Sequence, residues 1–172
     1  MCQIGLAGLL FAQRIDFQQA KQQVLCQALE KDFRTSLPYL EDQPAQAWLE
    51  DLTARLGTAS IHIADRTEPW ANVIPPCKLI VVSKGFLLKA RSEQDIAQTI
   101  AHMLAHVEAN TAFGRLIKLE GPCSHDPQEE AAAERRAGEV LTFFHPSTDS
   151  AELIAFQARH RPPPRKKPTL FR

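Results

Sequence analysis

An α+β fold is the class this sequence predicts, and three observations predict it. Apolar residues recur at helical spacing in stretches on both sides of the middle of the chain. Between those stretches lie two short segments of strand character, Ile61-His62-Ile63 and Leu79 to Val82. Helices, a small sheet, then helices is the order of an α+β domain. The 172 residues suit one domain, and 44% hydrophobic with 23% charged residues suits a packed core.

The first element is a helix. Phe17, Ala20, Val24, Leu25, Ala28 and Leu29 recur through a Gln-rich stretch, predicting an amphipathic helix that ends near Phe33. The apolar start, Ile4 to Ala12, lacks a basic n-region. It reads as an N-terminal helix docked on the core, with a trimmed signal remnant as the alternative. A second helix begins after Asp42, with Pro44 in its first turn, Trp48, Leu49, Leu52 and Leu56 on one face, and a stop at Gly57.

Ile61-His62-Ile63 alternates as a strand does, so His62 should point opposite its neighbours, towards solvent. Leu79 to Val82 has the β-branched character of a covered strand. Pro69, Pro75 and Pro76 between them predict an edge or a loop, because proline cannot donate to a ladder. Gly85-Phe86-Leu87-Leu88 then leads to Ser92, which with Asp95 resembles a capping box. A helix should follow to about Asn110, with Ile96, Ile100, Met103, Leu104 and Val107 as its apolar stripe. After a loop of helix breakers over 121–127, a helix over about Gln128 to Phe144 should turn Ala133, Ala137, Val140, Leu141 and Phe144 inward. A last helix should begin near Ser147 and end before Arg161. The chain thus divides into a helical segment (1–36), a body (37–160) and a basic Pro-rich tail (161–172).

Composition excludes some functions. Twenty basic and twenty acidic residues cancel, which argues against a nucleic-acid binder. No stretch reaches the roughly 18–20 apolar residues of a membrane span. Arg159, Arg161, Arg165, Lys166, Lys167 and Arg172 cluster at the end, as a solvated tail or a contact for anionic lipid or phosphate. Cys2, Cys26, Cys77 and Cys123 form no CxxC pair. Their even number permits two disulfides and requires none.

The chemistry lies in His102-Met103-Leu104-Ala105-His106. Two histidines at i and i+4 project from one side of a helix, and neutral imidazoles so placed can share a metal, usually zinc. At about 100° per residue, Met103 falls within the apolar stripe and both histidines on its flank. Cys123 and His125, in the following loop, could reach a metal but more commonly such residues face water, and His145 and His160 are expected to be exposed.

The neighbouring segments follow a familiar order. Trp70 to Pro75, Leu79 to Leu87, Ser92 to Ala97 and His102 to Val107 resemble the edge segment, strand, G-L-L turn, S-E-x-E-L-A helix start and H-E-x-x-H-V of peptidase family M-forty-eight, the HtpX and CAAX-prenyl-protease-like gluzincins. Glu129 to Leu141 looks like that family's E-A-D helix, and Phe144-His145-Pro146 like its G-Y-D-P turn. The resemblance covers about residues 37–156. It implies a single zincin-like domain: a small sheet on a helical bundle with the H-x-x-x-H helix at its centre. It also implies zinc, substrate binding along Trp70, Ala71 and Asn72, and a periplasmic, secreted or membrane-associated setting.

The departures bear on activity. The family's general base is the glutamate after the first histidine, and here that residue is Met103, a thioether without useful basicity. The third zinc ligand depends on register. Counting back from Pro146 without a gap makes it Glu130. Matching the apolar face makes it Ala132, with Glu134 in the aspartate position, and this second register is favoured. The ligand would then be missing, with Glu129, one turn earlier, as a substitute. Trp70 and Pro75-Pro76-Cys77 also alter the edge segment. The reading that results is a catalytically impaired pseudopeptidase, a binding or assembly module for a peptide or protein partner, with zinc weak or absent. An active peptidase that recruits Glu108, Glu129 or Glu130 as base is the alternative, and a purely structural domain the third.

Overall fold

The computed structural model describes residues 6–109, 127–146 and 150–161; for 6–19 and 33 it describes only the helical backbone. Helix α1 (Leu6–Ser36) comes first, and α2 (Gln43–Leu56) follows a short connection. Asp42 starts α2: its Oδ1 accepts from the Ala45 N–H at 3.1 Å, and Pro44 lies in the first turn. Leu49, Leu52 and Leu56 are buried and Trp48 half-buried, the face the spacing predicts.

Three strands follow: β1 (Ser60–Ala64), β2 (Ala71–Ile74) and β3 (Leu79–Ser83). Their order is β1-β3-β2, with β3 parallel to β1 and antiparallel to β2. All five residues of β3 are buried, which explains its unbroken apolar run. The Pro-rich segment behaves as proline requires. It supplies the edge strand β2 and then a 3-10 turn, Pro75–Cys77, closed by Lys78 in the left-handed region at φ 49°.

Ser83 ends β3 and starts α3 (Lys84–Lys89). Its Oγ accepts from the Trp70 and Phe86 N–H groups at 2.9 and 3.0 Å and donates to the Glu68 carbonyl at 2.7 Å. A Cβ on Gly85 would lie 2.0 Å from the Thr67 carbonyl oxygen, so only glycine fits there. The segment expected as a lead-in is thus a helix of its own.

Helix α4 (Glu93–Ala109) carries the predicted stripe, and Ile96, Ile100, Met103, Leu104 and Val107 are all buried. Its start departs slightly from a capping box. Ser92 Oγ accepts from the Asp95 N–H at 3.2 Å, but the Asp95 carboxylate accepts from the Arg91 N–H at 3.0 Å. That amide bond leads the interactions that hold the Asp95 carboxyl below its usual range. Helices α5 (Pro127–Thr142) and α6 (Ala151–His160) complete the bundle. α5 stops before Phe144 and α6 begins at Ala151; the expected start near Ser147 and the loop over 121–126 lie outside the described residues.

The core lies between the sheet and the helices. Ile61, Ile63, Ile80 and Val82 meet Leu49 and Leu52 of α2, Ile96 and Ile100 of α4, and Leu153 and Phe156 of α6. Asp42 clamps this layer at one end. Its carboxylate takes two nitrogens of Arg159 and lies 2.7 Å from His160 Nε2. Burial alone would raise its pKa, but the bonds from His160, the Ala45 amide and Arg159 hold it below the carboxylate range. His160 is therefore half-buried and engaged rather than exposed as expected.

The other face of the sheet has a smaller cover. Ala64, Ile74, Leu79 and Val81 form a second cluster under Leu29, Trp70 and Cys77. Cys26 of α1 is disulfide-bonded to Cys77. With α1 held there, part of the expected face turns away: Ala20, Val24, Leu25 and Ala28 are exposed, Val24 at 67%, while Leu29 meets the outer cluster and Phe17 lies outside the described side chains. His62 also differs from expectation. It lies half-buried beneath Tyr39, ring centroids 4.6 Å apart, with the Arg34 guanidinium 5.3 Å above the tyrosine. Among the described residues no helix is long and apolar enough to cross a membrane.

Candidate metal centre

The flank of α4 beside its buried stripe carries His102 and His106, one turn apart. Their Nε2 atoms are 3.2 Å apart, and the rings meet edge-on at 79°. α5 crosses this flank with Ala133 and Ala137 buried in the seam. Small side chains let the two helices approach closely. Glu130, one turn before Ala133, lies on the same side of α5 and reaches the pair. Its Oε2 is 3.3 Å from His102 Nε2 and its Oε1 3.5 Å from His106 Nε2.

These three donors lie within 4.8 Å of one another and form a group that can hold a metal ion. Side-chain exposures of 32%, 14% and 31% for His102, His106 and Glu130 leave the group open on one side. Met103, in contrast, is 8% exposed and belongs to the core cluster. It offers the site neither a base nor a donor.

Of the two registers, the ungapped count places the acid where the structure has it. Ala132 is exposed and carries no donor, and Glu134 is exposed as well. The favoured register, which matches the apolar face, gives Ala132 instead; α5 buries Ala133 and Ala137, and the residue one turn before Ala133 is Glu130. Glu129 is half-buried beside it and is not one of the three residues of the group. Farther along, Glu108 of α4 bonds Arg136 of α5 at 2.8 Å, and Arg136 bonds Glu139 at 3.0 Å, so Glu108 is engaged away from the histidines.

The expected substrate segment is turned towards the sheet. Ala71 packs on the main core, Trp70 on the small outer cluster, and Asn72 Oδ1 accepts from the Val73 N–H at 2.8 Å. β2 is an edge strand all the same, and α4 packs against it. His145 is exposed as expected, while Cys123 and His125 lie outside the described residues.

Compared with models of known protein families the chain matches none, and a search of curated proteins finds no significant match. The reading of this site therefore rests on its chemistry and on the motif order of the sequence.

Proposed function

We propose that this protein is a gluzincin-like pseudopeptidase that holds zinc through His102, His106 and Glu130 and does not hydrolyse peptides by the standard route. The donor geometry carries the reading. Zinc ligands at about 2.0–2.2 Å in tetrahedral array stand about 3.4 Å apart, and the separations here are 3.2, 3.3 and 3.5 Å. Two imidazoles and a carboxylate also make the three-ligand set of zinc sites that keep one position open. A bound zinc ion would supply Lewis acidity and a fixed positive charge.

Hydrolysis needs a base as well, and the position after His102 that carries it in the family holds Met103. Met103 is turned into the core, Glu108 is paired with Arg136, and Glu130 belongs to the donor group. General-base help is worth roughly 10²–10⁴ in rate. What remains is a binding module. Among the described residues edge strand β2 has a strand neighbour on one side only, and an extended peptide that adds to such an edge is the partner class this reading favours. The Cys26–Cys77 bond supports a setting outside the reducing cytosol, periplasmic, secreted or membrane-associated. The basic residues beyond Arg161 would add contact with an anionic lipid surface.

Zinc titration of the metal-stripped protein by calorimetry tests the proposal. One ion should bind per chain, and His102→Ala or Glu130→Ala should weaken it by at least about 100-fold, because two protein ligands hold zinc poorly. A casein assay with zinc present should show no cleavage. No zinc uptake, or chelator-sensitive cleavage by the unaltered chain, would defeat the reading. Met103→Glu asks separately whether that one side chain accounts for the lost chemistry.

A further inference from the structure

Among its described side chains, helix α1 meets the body through a short series of mostly polar or covalent contacts. Gln22 Nε2 donates to the Pro76 carbonyl, Cys26 is bonded to Cys77, Leu29 meets the small outer cluster, and Arg34 lies over Tyr39. Leu29 is the aliphatic member of this series. At about 100° per residue, Val24 and Ala28 point nearly opposite Cys26, and both are exposed. Among the described side chains of this helix, Leu29 is the one packed on the outer apolar cluster, beside the covalent and polar contacts.

The anchor on the other side is firm. Pro75 and Pro76 are buried, the Lys78 N–H bonds the Pro75 carbonyl at 3.0 Å, and the turn packs against α4. Just past α1 the chain is fixed again. The Leu40 N–H donates to the Ile63 carbonyl at 2.8 Å, and the Asp65 N–H to the Pro38 carbonyl at 2.8 Å. The segment free to move thus ends near residue 37. Cys26 and Cys77 are both half-buried rather than enclosed in the core.

We infer that the Cys26–Cys77 disulfide is a redox clasp: a dithiol reductant opens it and releases residues 20–36 from the outer face of the sheet, while the body from residue 38 onward keeps its fold. One thiolate of the reductant attacks a sulfur of the bond and displaces the other as thiolate, which takes up a proton. The second thiol of the reductant then closes on its mixed disulfide and frees the remaining cysteine. Two electrons and two protons pass to Cys26 and Cys77, and the dithiol leaves as a disulfide. Release uncovers an apolar face made by Ala64, Ile74, Leu79 and Val81. The inference rests on how α1 is held, not on the metal group.

Hydrogen exchange of the whole protein, with and without excess dithiothreitol, tests it. The bond joins residues 51 apart in sequence, and closing a loop of that length is worth roughly a thousand-fold in local association. Amides over 20–36 should therefore exchange about 10²–10³-fold faster after reduction, with those of α4 unchanged, and reoxidation should restore protection. The double variant Cys26→Ser, Cys77→Ser should match the reduced protein without any reagent. Equal protection of 20–36 in both redox states would overturn the clasp. So would loss of α4 protection together with α1, which would make the bond a staple of the whole domain.

Discussion

The two faces of the sheet are covered by different means. On the inner face Ile61, Ile63, Ile80 and Val82 meet three helices in one apolar cluster. On the outer face, among the described residues, Ala64, Ile74, Leu79 and Val81 meet one leucine, one tryptophan and a half-cystine, beside a stack of Arg34, Tyr39 and His62. Inner cover follows from burial, which is non-directional and grows with area. Outer cover depends on particular pairings, one of them covalent. β3 is buried on both sides, so a single strand feels both regimes in alternate residues.

Substitutions in β3 sharpen this contrast most strongly. Ile80→Ala, at a fully buried inner site, should cost about 2–5 kcal/mol in denaturant unfolding. Leu79→Ala, one residue away on the outer face, should cost about 2 kcal/mol, because a thin cover collapses onto a cavity more easily. Equal costs would break the distinction.

A smaller effect comes from pH. Burial, chiefly, with the Arg34 charge adding to it against Glu30 and Glu50, lowers the His62 pKa. The unfolded chain then binds the extra proton more readily than the folded one. Stability should fall as pH drops through about 6.5 and level off only below the lowered native value. Comparing unfolding of the protein and of His62→Phe between about pH 8 and pH 5 isolates this contribution. The phenylalanine variant keeps the ring stack and should lack that part of the acid loss; identical profiles would show that His62 contributes nothing. The smallest effect is expected for Arg34→Ala, about 0.5 kcal/mol, since an exposed cation over a ring is worth little.

The same division governs what could be read from sequence. The stripe Ile96, Ile100, Met103, Leu104 and Val107 was legible because burial repeats with the helical period, and both histidines could be placed on its flank by angle alone. α2 was legible from Asp42, Pro44 and Gly57, whose roles are local. α1 was not. Ala20, Val24, Leu25 and Ala28 of the expected stripe face outward while Leu29 and the Cys26–Cys77 bond meet the body, and cysteine pairing cannot be deduced from spacing. The metal group falls between. The histidines were evident, but the position of Glu130 depends on how α5 seats Ala133 and Ala137 against α4, a tertiary fact that two registers could both accommodate.

The strand order has a consequence for how the chain assembles. β1 and β2 emerge first, but they are not neighbours; β3, which emerges last, lies between them. Until residues 79–83 arrive, neither earlier segment has a ladder partner within the sheet. A nascent chain shorter than that contains two strand sequences and no sheet. Pairing then happens in one late step, and its parallel half must also close a long loop, which makes it the slow kind of contact. Premature termination in this stretch would leave sticky, unpaired strands, whereas a few residues more would complete all three at once.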